Sequence, residues 1–156
     1  MRLALFQPDI PQNAGAMLRL AACLNVPVDI IEPCGFVLGE RRFRRAGLDY
    51  LDRAAMVRHA SWQAYCSWRG SRADSGRLLL ITTKGDMPYT GFMFRADDTL
   101  MMGRESLGVP DAVAEVADAR LRIPMAAGLR SINVAQAAAM VLGEALRQTG
   151  MFPAAI

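Results

Sequence analysis

The sequence predicts an α/β domain built on a mostly parallel sheet with helices on both faces. Short apolar runs, typical of buried strands, alternate with segments of helical periodicity along the chain. The strand segment Leu78–Thr82 begins with four consecutive apolar side chains, so both of its faces are expected to be buried. The length of 156 residues fits a single domain that spans residues 1–156.

Three strands and three helices are predicted in the first half of the chain. The strands are Leu3–Phe6, Val26–Ile31 and Ala55–Val57. The helices cover residues 11–24, Glu40–Leu48 and Ser61–Trp68. Pro11 suits a first helical position, because proline needs no intrahelical N–H there, and Ser61 is expected to cap its helix.

In the second half of the chain, three further strands and two helices are predicted after a surface loop rich in serine and glycine. The strands are Leu78–Thr82, Leu100–Met102 and Leu121–Ile123, and the helices are Val113–Ala117 and Ser131–Gln148. Gly150 is expected to end the last helix. Between Val134 and Leu142 only Gln136 is polar, so one sheet face cannot bury this helix. It is predicted to form a homodimer interface, with burial inside one chain as the alternative.

Composition excludes several classes of protein. No apolar stretch approaches the ~20 residues of a membrane span, and the first eight residues are too short an apolar run for a signal peptide, which predicts a cytoplasmic protein. The three cysteines, Cys23, Cys34 and Cys66, are odd in number and widely spaced, and His59 is the only histidine. Neither a disulfide scaffold nor a metal site is expected. His59 is expected at the surface or in an ion pair, without a catalytic role.

Arginine dominates the basic residues: 17 of the 18 are arginine, and Lys84 is the only lysine. A GC-rich genome would favour arginine codons in the same way. The cluster Arg41, Arg42, Arg44 and Arg45 around Phe43 is more specific, because four cations are concentrated in one short segment. It is interpreted either as a nucleic-acid contact or as a solvated helix face.

Three loops rich in glycine and proline or threonine follow predicted strands, namely Thr82–Gly85, Gly103–Pro110 and Ile123–Ser131. In open α/β sheets ligands bind outside the carboxyl ends of the strands, and glycine lets a ligand approach the backbone closely. A planar ligand that forms hydrogen bonds, such as adenine, would suit these loops. No GxGxxG motif follows a strand and no phosphate-binding Lys-Ser/Thr loop is present, so a Rossmann oxidoreductase or a nucleotide triphosphatase is unsupported.

Three segments resemble the motifs of the SPOUT superfamily of RNA methyltransferases. They are PQNAG at residues 11–15 leading to Arg19, MGRESLGVP at 102–110, and RIPM at 122–125 together with RSINV at 130–134. RRAGLDY at 44–50 and TTKG at 82–85 narrow the resemblance to the tRNA (cytidine/uridine-34-2′-O)-methyltransferase subfamily. The resemblance covers nearly the whole chain, with the motifs in the same order.

This resemblance implies a SPOUT fold, whose C-terminal segment forms a trefoil knot, one of the rare exceptions to unknotted topology. It implies S-adenosylmethionine bound in the knot and an obligate homodimer whose active site uses both chains. The implied function is 2′-O-methylation of the wobble nucleotide, in the anticodon stem-loop of tRNA. The alternatives are the same chemistry at another tRNA position or on rRNA, and a non-catalytic RNA-binding dimer.

The resemblance also assigns roles to single residues. The implied cofactor-binding residues are Ile81, Gly103, Ile123 and Ser131, and the implied pocket-shaping residues are Asn13, Glu105 and Asn133. The residues expected to contact RNA are Arg41, Arg42, Arg44, Arg45 and Arg130. Some members have Pro-Asp-Ser before the arginine of the third motif, whereas this chain has Ala127-Gly128-Leu129, so a role for that aspartate does not transfer.

Arg19 matches the motif arginine that is placed at the target 2′-hydroxyl. An arginine pKa above ~12 makes it a poor literal base, and we expect it to lower the pKa of the hydroxyl electrostatically and to hold the adjacent phosphate. The alternative for Arg19 is an ion pair on the helix surface. Methyl transfer of this kind requires neither a metal nor a covalent intermediate.

Overall fold

The computed structural model describes residues 1–38 and 55–154. Within these ranges the chain forms the following elements in order: β1 (Arg2–Phe6), α1 (Pro11–Cys23), β2 (Val28–Ile31), β3 (Met56–His59), α2 (Trp62–Gly70), β4 (Leu78–Ile81), β5 (Met87–Pro88), a 3₁₀ turn (Tyr89–Gly91), β6 (Thr99–Met102), α3 (Asp111–Ala114), β7 (Ala119–Arg122) and α4 (Val134–Thr149). None of the helices described is long and apolar enough to cross a membrane.

The strands form one sheet in the order β3-β2-β1-β6-β4-β7-β5, and every neighbouring pair in the described ranges runs parallel. The register is continuous across the centre, where Leu3 lies beside Val28 on one side and Leu100 on the other. The predicted parallel α/β class is therefore confirmed. As a consequence, the carboxyl ends of β1, β6, β4 and β7 are neighbours at one edge of the sheet.

Both faces of the sheet are covered, because alternate side chains of each strand point to opposite faces. In β1, Leu3 and Leu5 pack with residues of α1 and α4, whereas Ala4 and Phe6 pack in a second cluster that includes Tyr65 of α2 and Val113 of α3. The four central strands are buried at nearly every position. This explains why their sequences are continuous apolar runs rather than alternating ones.

The predicted helix boundaries hold at some ends and fail at others. Pro11 begins α1, and the Ser61 hydroxyl accepts a hydrogen bond from Ala64 N–H at 3.1 Å as the predicted cap. Gly150, with a φ of 65°, ends α4. However, α4 begins at Val134 and not at Ser131, because Asn133 is the residue that caps it. The predicted helix over residues 40–48 lies outside the described residues.

The predicted strand boundaries also shift. The second strand begins at Val28 rather than Val26, because Asn25 adopts a left-handed turn with a φ of 53° after α1. The strand β7 ends at Arg122, which leaves Ile123 in the following loop. The two-residue strand β5, which pairs with β7, is too short for a periodicity to reveal it.

His59 is buried and belongs to a polar cluster inside the sheet. The carboxylate of Asp29, fully buried in β2, accepts hydrogen bonds from His59 Nε2 at 3.0 Å and from two guanidinium nitrogens of Arg2 at 2.7 and 2.9 Å. A buried carboxylate needs such partners, because an unpaired charge in the interior is costly. The expected ion pair of His59 is confirmed, and the alternative expectation of a surface position is wrong.

The chain that follows β4 lies directly against β7. Thr82 N–H donates to Leu121 O and Asp86 N–H donates to Arg120 O, each at 2.9 Å. Between them, a Cβ on Gly85 would lie 2.4 Å from the carbonyl carbon of Leu121. Only a glycine allows two backbones to approach this closely without displacing one of them.

We predict that Gly85→Ala destabilises the fold by ~1–3 kcal/mol, because the added methyl meets rigid backbone rather than a side chain that can move. Gly70→Ala is the matched control, since a Cβ at that position would meet no atom within 4 Å. Urea unfolding of both variants checks the prediction. Equal unfolding midpoints for the two would contradict the close crossing.

Candidate functional site

A cavity of about 690 Å³ opens beyond the carboxyl ends of β4 and β6. This volume lies within the roughly 300–1,000 Å³ of small-molecule sites. Its lining includes the three loops that the sequence predicted, together with Ile10 and Asn13 before and within α1. The loops meet because β6, β4 and β7 are adjacent in the sheet.

The structure brings most of the predicted site residues to this cavity. Those that line it are Ile81, Gly103, Ile123, Ser131, Asn13, Glu105, Asn133 and Arg130. Arg19 lies on the exposed face of α1 and is not among the described residues that line the cavity. The cluster of Arg41, Arg42, Arg44 and Arg45 lies outside the described residues.

The loop after β6 is folded tightly against the cavity. Arg104 and Gly108 exchange two backbone hydrogen bonds, at 3.1 and 2.8 Å, which close the loop into a narrow turn. Gly108 has a φ of 67°, a left-handed conformation that favours glycine. A Cβ on Gly103 would lie 3.1 Å from the carbonyl carbon of Gly108, so the base of the loop leaves little room for a side chain.

The loop after β7 leads into α4 through a second glycine turn. Leu129 N–H donates to Ala126 O at 3.3 Å, and Gly128 between them has a φ of 84°. The loop leaves Arg130 and Ser131 exposed at the cavity. Asn133 then caps α4, because its Oδ1 accepts from the backbone N–H groups of Ala135 at 2.8 Å and Gln136 at 3.4 Å.

Hydrogen bonds between side chains connect the loops that line the cavity. Asn133 Nδ2 donates to Asn13 Oδ1 at 2.9 Å, and Asn13 Nδ2 donates to Glu105 Oε1 at 3.2 Å. This chain of bonds ties the start of α4 to α1 and to the loop after β6. The three residues predicted to shape the pocket therefore form one contiguous network.

Glu105 is half-buried, and its pKa is raised above the ordinary value mainly by burial and then by the hydrogen bond to the Asp9 side chain. Among the described residues, four cations line the same cavity, namely Lys84, Arg104, Arg120 and Arg130, against two carboxylates, Glu105 and Asp111. Arg120 forms an ion pair with Asp86 at 2.8 Å. The predominance of cations suits a ligand that carries phosphate groups.

The structure offers no thiol for nucleophilic chemistry at this cavity. Burial raises the pKa of Cys34 to about 11 and also raises that of Cys66, so both thiols are protonated at neutral pH. Neither cysteine belongs to the cavity lining. Within residues 1–38 and 55–154, no group of three or more His, Cys, Asp or Glu side chains is placed to hold a metal ion.

The fold is that of RNA methyltransferases. A structure solved to explain 2-OH methylation of C/U34 on tRNA superposes with a TM-score of 0.88, at 37% identity and 94% coverage of both chains. The SpoU methyltransferase AviRb from Streptomyces viridochromogenes, in complex with the cofactor AdoMet, superposes with a TM-score of 0.86. Its identity is 27%, and the match covers 95% of this chain and 57% of that one.

Sequence comparison gives the particular family. This chain belongs to the SpoU rRNA methylase family, whose sequence pattern matches residues 1–143. A protein of Beijerinckia indica is 60% identical over 149 residues, which cover 95% of this chain and 91% of the relative. That relative is named tRNA (cytidine(34)-2′-O)-methyltransferase.

Sequence reasoning missed two residues at the β1 end of the site. Ile10 lines the cavity, and Asp9 hydrogen-bonds to Glu105 beside it. Residues 8–13 are typical of a turn, so neither Asp9 nor Ile10 was predicted to belong to the site. The signal that would have found them is their position directly after a buried strand, although the sequence alone does not show that this strand is the neighbour of β6.

We predict that Asn133→Ala lowers the free energy of unfolding by ~0.5–2 kcal/mol, because α4 loses its cap. Asn133→Asp keeps an oxygen for the cap and loses only the hydrogen bond to Asn13, so its stability should lie between those of Asn133→Ala and the wild type. Ser131→Ala is the control, since Ser131 does not cap the helix. Chemical denaturation of the three variants tests this order. A wild-type stability for Asn133→Ala would show that the cap contributes nothing.

Proposed function

We propose that this protein is an S-adenosylmethionine-dependent methyltransferase that modifies the ribose 2′-oxygen of nucleotide 34, cytidine or uridine, in tRNA. The observation that carries the proposal is the convergence of three motif loops on one cavity. The names of the relatives support the choice of nucleotide, since proteins related over nearly the whole chain are named for cytidine 34.

S-adenosylmethionine fits the residues that line the cavity. The backbone around Ile123 offers N–H and C=O groups for the edge of an adenine, and Ser131 lies on the loop that continues from it. Ile81 supplies apolar contact at the end of β4, and Gly103 lets the loop after β6 approach. When bound, the cofactor supplies a methyl group on a positively charged sulfur. The task of the protein is then to align the target oxygen, for which positioning alone can contribute ~7–11 kcal/mol.

Arg19 is proposed to act at the target 2′-hydroxyl from a second copy of the chain. Within one chain it lies on the exposed face of α1, outside the cavity lining of the described residues. The helix α4, which packs against α1, leaves Ala139 and Met140 exposed, the latter at 44%. A homodimer through these helices would cover this surface and bring Arg19 to the partner's cavity, where its charge would favour loss of the hydroxyl proton.

The RNA is proposed to lie along the cationic edge of the cavity. Arg130 lines the cavity itself, and the cluster Arg41–Arg45 is proposed to hold the anticodon stem-loop through its phosphates. A single nucleotide must leave the stack to reach an enclosed site, and loop nucleotides do so at lower cost than paired ones. The anticodon loop meets this requirement.

The trefoil knot and the cytoplasmic location belong to the same proposal. The knot is supported by residues 82–86, which pass directly against the backbone of β7. Gly85 makes this close approach possible. Support for the location comes from the substrate, since tRNA is modified where it is made and used.

The proposal predicts that the purified protein transfers a labelled methyl group to total tRNA, and that nucleoside mapping places the label on the ribose of nucleotide 34. A tRNA with a 2′-deoxyribose at nucleotide 34 is the matched control, because it lacks only the reacting oxygen and should accept no label. Label at another tRNA position or on rRNA would favour the alternative substrates. Absence of S-adenosylmethionine binding in calorimetry would favour the non-catalytic RNA-binding dimer.

We predict that Arg19→Ala lowers kcat by about 10²–10³, the loss typical of removing one group that stabilises developing negative charge. Arg19→Lys, which keeps the charge but not the planar fork, should lose less. The affinity for S-adenosylmethionine should not change, because Arg19 is proposed to act on the hydroxyl of the RNA and not on the cofactor. Full activity of Arg19→Ala would contradict the proposed role.

Mixing two inactive variants tests whether the site is shared. Arg19→Ala keeps its cavity, and Gly103→Val keeps its Arg19. If each site uses both chains, mixed dimers contain one complete site, and the mixture should recover roughly a quarter of the wild-type activity. If the mixture is shown to exchange subunits and recovers no activity, Arg19 must act at the cavity of its own chain.

A further inference from the structure

Asp9 joins two loops of the site through a reciprocal pair of hydrogen bonds. Asp9 N–H donates to Glu105 Oε2 at 3.0 Å, and Glu105 N–H donates to Asp9 Oδ1 at 3.2 Å. The hydroxyl of Ser106 donates to the other carboxylate oxygen of Asp9. Asp9 therefore uses its backbone and both carboxylate oxygens to hold two successive residues of the loop after β6.

Asp9 is itself held from the opposite side. Gly35 N–H donates to Pro8 O at 2.9 Å, and a Cβ on Gly35 would lie only 2.7 Å from the Cβ of Asp9. The chain at Gly35 therefore packs against Asp9 as closely as a glycine allows. This contact leaves Asp9 little freedom to move away from Glu105.

The hydrogen bonds of Asp9 extend to the other loops of the cavity. Glu105 accepts from Asn13, and Asn13 accepts from Asn133 at the start of α4. Asp9 is absent from the cavity lining of the described residues, whereas Glu105, Asn13 and Asn133 belong to it. Asp9 thus stands outside the cavity and at the end of the network that shapes it.

The arrangement places two carboxyl groups side by side, and the hydrogen bond between these side chains raises the pKa of Glu105 and lowers that of Asp9. Burial alone would raise the pKa of Asp9, but hydrogen bonds from Glu105 and Ser106 outweigh it and lower that pKa. Asp9 is therefore ionised at neutral pH, as its role of acceptor requires.

We infer that Asp9 is a positioning residue, which acts through Glu105 and Ser106 to hold the loop at residues 103–108 in the shape that binds the cofactor. Asp9 touches neither the cofactor nor the reacting atoms. The inference rests on the proposed function, because it takes S-adenosylmethionine as the ligand of the cavity.

Asp9→Ala should weaken S-adenosylmethionine binding by roughly tenfold to a hundredfold, the usual effect of losing hydrogen bonds to a charged group. Calorimetry should show a raised Kd at unchanged stoichiometry, and kcat at saturating cofactor should stay within roughly threefold of wild type. A merely structural role would instead lower the stoichiometry and kcat at an unchanged Kd. Asp9→Asn, which keeps an oxygen for Glu105 N–H, should recover most of the affinity.

Asp74→Ala is the matched control, since it removes an exposed aspartate, paired with Arg72 at 2.6 Å, that does not line the cavity. Its Kd should equal that of the wild type. Hydrogen exchange without cofactor gives a second readout, because the Glu105 amide loses its acceptor in Asp9→Ala and should exchange faster than in Asp74→Ala. If Asp9→Ala does not fold, Ser106→Ala replaces it, with an expected rise in Kd of roughly threefold to tenfold.

One result would overturn the inference and leave the proposed function intact. The wild type would bind S-adenosylmethionine, and Asp9→Ala, or Ser106→Ala where that variant replaces it, would bind it with an unchanged Kd. A wild type that does not bind S-adenosylmethionine would instead overturn the proposed function. In that case, faster exchange of the Glu105 amide in Asp9→Ala would still support the positioning of the loop by Asp9.

Discussion

Because neighbouring strands of the described sheet run parallel, the carboxyl ends of β1, β6, β4 and β7 lie side by side at one edge. Each of these strands is followed by a loop whose N–H and C=O groups pair with a neighbouring strand, with one another, with water or with a ligand. This geometry explains why the three loops that contain Gly85, Gly108 and Gly128 meet at one cavity.

Side-chain amides and carboxylates fix these loops relative to one another. Asn133, Asn13 and Glu105 form a continuous line of hydrogen bonds from α4 to the loop after β6, and Asp9 continues it to the end of β1. Such a network gives precise positions, because each member has a directional partner. It also explains why two carboxyl groups lie side by side, since each accepts a hydrogen bond from the backbone N–H of the other residue, Asp9 or Glu105.

The buried strands could be predicted from the sequence because parallel pairing makes them continuously apolar, as at Leu78–Ile81. The loops that line the cavity were likewise predicted from the turns that follow those strands. No local sequence pattern indicates the order of strands in the sheet. The hydrogen bond between Asp9 and Glu105, which lies 96 residues later, was therefore not predicted. Ser131 and Asn133 are both residue types that can cap a helix. The path of the chain before α4 decides between them, and it makes Asn133 the cap.

Under the proposed function, the position of Arg19 links the oligomeric state to the chemistry. The cavity holds the groups that suit a nucleoside, whereas Arg19 lies on the solvent-exposed face of α1, beside the helix that also leaves Met140 uncovered. Under the proposed function, a single chain would bind the cofactor without placing Arg19 at the sugar oxygen. Under the proposed function, dimerisation is the step that completes the site, because burial of the two helices brings the arginine into a region of lower dielectric constant, where its charge acts more strongly.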